Sequence, residues 1–278
     1  MRCRLFLILL AVCSLASMAQ ENDTLPPNRY TTHGTLFGVG TSNLYDTYLS
    51  PVTYKGVHLS FLHETLRKTH WCEGRVSTQS IVDGFLCHTA NQANTAKEWG
   101  GKVNYSAGWH YNWLIAQRLR LMLGGEIHAG LGIIYNTRNS NNPVQAKAEA
   151  DLDLSFIAIY PFHIRKKPFT ARYQLSAPMI GIMFSPQFGQ SYYEMSQGNY
   201  DHNVCATHPF NAPSMRHFLT LDFPIAGFTF RAGYLCDIRQ SHVNNIKSHV
   251  WNHSFMIGYV KHFGFTKRKD SRHKSFIM

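Results

Sequence analysis

The chain has 278 residues, a formal net charge of +11 and a mean hydropathy of −0.23, with 15% charged and 13% aromatic residues. Strands that are half apolar and half polar average to such values, in a lipid-facing barrel or in a soluble β protein, and the length suits one all-β domain or two small ones. Beyond the first 19 residues no apolar run reaches ~18, which excludes a membrane-spanning helix.

The first element is a targeting segment. Arg2 and Arg4 form a positive start, Leu5 to Val12 an apolar run, and Ser17-Met18-Ala19 a small-residue cleavage site. The expectation is a signal peptide over residues 1–19, with Gln20 first in the mature chain and a short periplasmic segment at 20–30. The rival reading, a lipid-modified Cys13, suffers from Val12 in front of it. Cleavage removes two arginines and no acid, so the charge falls from +11 to +9.

From residue 31 onward, apolar and polar residues alternate with a period of two, which is the signature of half-buried strands and not of helices. Ten strands are predicted: 31–40, 54–66, 72–85, 103–115, 119–135, 152–164, 169–184, 216–223, 228–238 and 247–263. Several match or exceed the ~9–11 residues that a tilted strand needs to cross a bilayer. Connections at 67–70, 116–118, 165–168 and 224–227 are tight, and those at 41–53, 86–98, 137–143, 185–215 and 239–246 are longer. Outer-membrane barrels sort their turns in this way, short on the periplasmic side and long outside. Trp109, Tyr111, Trp113, Tyr135, Tyr160, Phe162, Tyr234 and Tyr259 form aromatic girdles near strand ends. The fold expected is an all-β, transmembrane, antiparallel up-and-down β-barrel of about ten strands over residues 31–265, with both termini periplasmic. A basic tail at 266–278 follows, a solvated extension or a contact for anionic headgroups.

Three strings are distinctive: Asp46-Thr47-Tyr48-Leu49-Ser50-Pro51, Arg138-Asn139-Ser140-Asn141-Asn142-Pro143, and Ser185-Pro186-Gln187-Phe188-Gly189-Gln190-Ser191-Tyr192-Tyr193-Glu194. With them the chain resembles an uncharacterised family of Bacteroidetes outer-membrane barrels, domain of unknown function 3316. The resemblance covers most of the mature chain. It implies compartment and fold and transfers no catalytic residue.

The strings fall on expected extracellular loops or strand ends, where their Pro, Asn, Gly and Ser suit turn chemistry. They either shape and pack the mouth or form a rim on which Asp46, Tyr48, Asn141, Asn142, Gln187, Tyr192 and Glu194 meet a small polar ligand. Inside, directly paired residues of two strands must share a face. That rule sets His128 across from Asp151 or Asp153, with Glu126 one step below and His110 near it. It also sets Arg231 near Asp222, and Arg172 points inward. These eight groups either fill a narrow barrel as a satisfied network or supply a His-carboxylate acid and base for a hydrolase.

Four cysteines survive processing, Cys72, Cys87, Cys205 and Cys236, and an oxidising compartment allows disulfides without choosing among the three pairings. Sixteen histidines are scattered with no zinc-protease spacing, so neither a metal nor a cofactor is expected. Outer-membrane lipid, the barrel-assembly machinery and an envelope protein are the expected partners, and nucleic acid is not. The functional expectation is a non-enzymatic surface-binding, small-pore or envelope-assembly barrel. The alternative is an outer-membrane hydrolase of lipid or peptide.

Overall fold

The computed structural model describes residues 29–115, 118–200 and 202–265. The expected signal segment and basic tail lie outside them. The strands are β1 (Arg29–Asp46), β2 (Ser50–Lys68), β3 (Val76–Asn91), β4 (Lys97–Ile115), β5 (Leu119–Asn136), β6 (Val144–Ile164), β7 (Lys167–Phe184), β8 (Val204–Thr207), β9 (Met215–Ile225), β10 (Phe228–Val243) and β11 (Ile246–Phe265). A five-residue helix, α1 (Tyr192–Ser196), precedes β8.

All pairings are antiparallel. β1 pairs with both β2 and β11, and β6 with both β5 and β7, so the sheet returns on itself. β8 and β9 lie end to end along β7 and share one position in the wall, which makes a closed ten-strand barrel. Closure satisfies backbone donors and acceptors around the ring, apart from one short stretch of β7.

Alternation decides which side chains face out. On β4 the odd positions are exposed and apolar (Trp99, Val103, Tyr105, Trp109), while Asn104, Ser106, His110 and Asn112 are buried. Leu86 is 71% and Leu131 69% exposed, and similar residues cover most of the outer wall. So continuous an apolar surface is foreign to a soluble monomer. Rings gather at both ends of this band. Tyr111 and Trp113 lie 4.8 Å apart, and Tyr160, Phe162 and Phe169 stack in series at the short-turn end. His88 on Trp99 and His249 on Trp251, each at 4.3 Å, lie towards the other end.

The strands are longer than the alternation suggests, and the loops correspondingly shorter. β6 starts at Val144 and not at 152, because 146, 148 and 150 are alanines whose outward face reads weakly. β3 starts at Val76, and Cys72 sits instead in a 3-10 turn over Trp71–Gly74. The expected loop at 239–246 shrinks to Asn244-Asn245, both at positive φ (50° and 60°), a hairpin turn that asparagine tolerates. The loop at 41–53 shrinks to residues 47–49. Loop length is therefore sorted mainly by one connection, the 30 residues from 185 to 214 that hold α1 and β8.

One stretch of wall is irregular. β7 pairs with β9 over Thr170–Ser176 and with β8 over Gly181–Phe184, leaving residues 177–180 without a ladder partner on that side. A bulge at Met179 of β7, opposite Leu152 and Asp153, lies in this stretch and reverses the inward parity of β7 above it. Residues 208–214 leave the wall here and return by hydrogen bonds to β10, His242 N to Asn211 O at 2.8 Å and Gln240 N to Ser214 Oγ at 3.1 Å.

Candidate functional site

The lumen is occupied by side chains in layers. Nearest the short turns, Arg231 grips Asp222 through two bonds, Nε to Oδ1 at 2.6 Å and Nη2 to Oδ2 at 2.8 Å. The two are direct partners across β9 and β10. Arg231 Nη1 also reaches Glu64 Oε2 at 2.9 Å, and Arg172 Nη1 donates to the same oxygen. Gln79 Nε2 donates to Glu64 Oε1 at 2.6 Å, and Arg172 Nη2 to Gln174 Oε1 at 2.6 Å. Glu64 is 2% exposed. A carboxylate so buried needs compensation, and two guanidinium groups supply it.

The next layer centres on Glu126. It accepts from Ser155 Oγ (2.7 Å), Gln174 Nε2 (2.9 Å) and Ser176 Oγ (3.1 Å). His110 Nε2 lies 2.9 Å from Ser155 Oγ and 3.5 Å from Glu126. A serine-histidine-acid relay has its acid on the far ring nitrogen. Here the acid sits on the serine side, and Nδ1 of His110 has no hydrogen-bond partner among the described residues. Both His110 and Ser155 are 0% exposed.

Above it, His128 pairs directly with Asp151, and Glu126 with Asp153, across β5 and β6. His128 Nδ1 meets Ser106 Oγ at 2.9 Å, and its Nε2 lies 3.4 Å from Glu149. Lys102 Nζ binds Glu149 at 2.5 Å, and Arg239 bridges Glu149, Asp151 and Asp237 at 3.4 to 3.5 Å. Arg216 and Asn104 hold Asp83 at 2.8 and 2.9 Å. Ser106–His128–Glu149 does run through opposite ring nitrogens. The cavity that Ser106 and His128 border is only about 10 Å³, lined also by Asp153 and Arg239, while Glu149 lines a separate one of about 60 Å³. His128, Glu149 and Asp151 place ligand atoms within 4.8 Å of one another, a donor set that could hold a metal. Lys102 and Arg239 already supply positive charge to those carboxylates, so an added cation would compete with both.

A cap closes the long-loop end. Leu44, Tyr48, Leu49, Tyr54, Cys87, Ala96, Ile134 and Ile246 form a buried apolar cluster, with Tyr192 of α1 packed on it. Asp46, 2% exposed, is paired with Lys147. Tyr48 Oη donates to Gln190 O at 2.9 Å. Tyr192 Oη accepts from Ala146 N at 2.7 Å and donates to Gln145 Oε1 at 3.1 Å. Glu194 and Ser191 form a capping box on α1. Gln187 N donates to Gln190 Oε1, while the N–H groups of Asn141 and Asn142 donate to Asn139 Oδ1. Burial, with Tyr192, Asp46 and Glu194 nearby, pushes the Tyr48 hydroxyl up to about 12. The phenol is therefore neutral at physiological pH. Of the seven rim residues, Asp46, Tyr48 and Tyr192 are built into the cap, and Asn141, Asn142, Gln187 and Glu194 take part in its turn and helix bonding.

The four cysteines are all free: Cys72 is exposed in a short turn, Cys87 lies in the cap, and Cys205 and Cys236 are half-buried. Sequence pairing reaches only adjacent strands, so it missed the partners of Glu64, Asp83, Glu149, Lys102, Arg216 and Arg239; Ser106, a direct ladder partner of His128, was within its reach and was passed over. Their inward parity was readable from alternation; their partners across the lumen were not.

Charge is unevenly placed. The short turns and strand ends beside them carry Arg67, Lys68 and Arg75, then Arg118 and Arg120, then Arg165, Lys166 and Lys167, against the acid Glu73.

The family described as Protein of unknown function (DUF3316) matches residues 5–270. Among curated proteins none matches the sequence. Solved structures with a similar course include the outer membrane protease OmpT from Escherichia coli, at 6% identity and TM-score 0.42, covering 89% of this chain and 100% of that one. The transport unit of the autotransporter AIDA-I from Escherichia coli gives 8% and 0.41, covering 86% and 92%. The translocator domain of the autotransporter NalP from Neisseria meningitidis gives 10% and 0.38, covering 92% and 95%.

Proposed function

The chain belongs to the DUF3316 family, and we propose that it is an outer-membrane barrel of Gram-negative bacteria with a sealed lumen and a non-enzymatic binding or envelope-assembly role. The observation that carries this reading is the filled interior. Ion pairs and hydrogen bonds occupy the lumen from Asp222 up to Asp46, and an apolar cap stands above them. Ten strands sit near the narrow end of barrel sizes, where side chains fill the inside and no aqueous channel remains. The outward apolar band and its two aromatic belts support insertion in a bilayer. Two apolar grooves on the outer wall, each about 800 Å³, suit lipid acyl chains; Leu59, Leu86 and Ile133 line both. In the orientation proposed, the short turns and both termini face the periplasm, and the barrel-assembly machinery inserts the chain.

Bilayer conductance and liposome swelling with the purified chain test the seal. The expected result is no more flux of small sugars than in empty liposomes; steady flux would replace the sealed barrel with a pore. Ser106, 2.9 Å from His128, favours the hydrolase as the second reading. An ester or peptide hydrolysis that the pure protein performs and Ser106→Ala abolishes would establish it.

A further inference from the structure

At the short-turn end the lumen widens into a vestibule of about 360 Å³, larger than the two polar cavities deeper inside, at about 60 and 10 Å³. Its wall combines two kinds of surface. Arg118, Arg120, Arg172 and Arg231 line it beside the acids Glu64 and Asp222. Leu66, Leu114, Ile159 and Pro161 supply apolar patches, and Thr32 and Thr170 bring hydroxyl-bearing side chains.

The charges do not cancel. Arg231 is bidentate on Asp222 and also reaches Glu64; Arg172 pairs with Glu64. The two inner arginines thus balance the two acids. With Arg118, which is exposed, and Arg120, which is half-buried and engaged in contacts of its own, the lining holds four arginines against two acids. Arg172 is 4% exposed, and its Nε has no hydrogen-bond partner among the described residues. The basic turns around the entrance add a field that draws anions in. Guanidinium groups match the oxygens of phosphate. The space exceeds a bare ion, and the leucine and isoleucine patches suit an apolar body attached to it.

We propose that this vestibule binds an organic phosphate, either a phospholipid headgroup, whose apolar portion the leucine and isoleucine patches would seat, or a soluble one. On the orientation proposed above, that ligand comes from the periplasm.

The full chain, purified in a non-ionic detergent, would be titrated calorimetrically with dihexanoyl phosphatidylglycerol and separately with glycerol 3-phosphate. The expected result is saturable, salt-sensitive binding of at least one of them. The double variant Arg118→Gln/Arg120→Gln should weaken it about tenfold or more, as loss of charge-assisted bonds implies. Lys55→Gln/Lys97→Gln, at the opposite end, should leave it within about twofold. Binding of the lipid alone assigns a headgroup, and binding of glycerol 3-phosphate assigns a soluble ligand. No saturable binding of either, or equal affinity in the Arg118/Arg120 variant, overturns the proposal. A Lys166→Cys thiol labelled by an impermeant reagent in intact cells would overturn the orientation alone, because the titration does not depend on it.

Discussion

Glu64 shows how a single residue ties the lumen together. It is bound by Arg172, Arg231 and Gln79, which come from β7, β10 and β3. Replacing it with Gln keeps the volume but removes the charge that two buried guanidinium groups face. Such a loss typically costs about 3–5 kcal/mol, mainly because cations are left uncompensated. Urea unfolding of the detergent-solubilised barrel should show that drop for Glu64→Gln; a change under about 1 kcal/mol would mean that the network is wetter than its burial implies. Residue identity alone did not reveal this role. Glu64 was legible as inward-facing, but its partners lie on strands that β2 does not all touch. The direct pairs His128–Asp151 and Arg231–Asp222 were legible, because each joins neighbours in the ladder.

Elements show a similar division. Strand existence and facing were readable wherever large apolar residues alternate with polar ones, as in β4 and β5. Strand ends were not, because the parts beyond the apolar band use Ala, Gln, Lys and Thr. The bulge in β7 was hidden as well, since Met179, Ile180 and Ile182 all face outward and blur the period. The fold of residues 185–200 over the mouth depends on contacts from Tyr192 to Tyr48, Gln145, Ala146 and Phe184 that no local pattern encodes. Removing that ring by Tyr192→Ala would leave buried Gln145 without this partner and open space beside Tyr48, whose ring lies 6.0 Å away. A local cost of about 2 kcal/mol follows, or roughly a thirtyfold rise in the opened cap. Limited proteolysis should cut within residues 185–200 faster by that order while the barrel stays resistant. Unchanged cleavage would show that the cap is held by its other contacts.

At the scale of the whole molecule, a closed cylinder has no natural place to start unravelling, yet this one has a seam. The ladder on one side of β7 lapses over residues 177–180, and Pro178 within it has no amide hydrogen to offer. Fewer backbone bonds hold the sheet there than along β1, which is paired over nearly its whole length on both sides. Deuterium should therefore enter residues 177–180 and 208–214 first and the β11–β1–β2 region last; uniform uptake around the ring would contradict it. Disassembly would then have a direction, starting at that gap and leaving the strands that join the two chain ends until last.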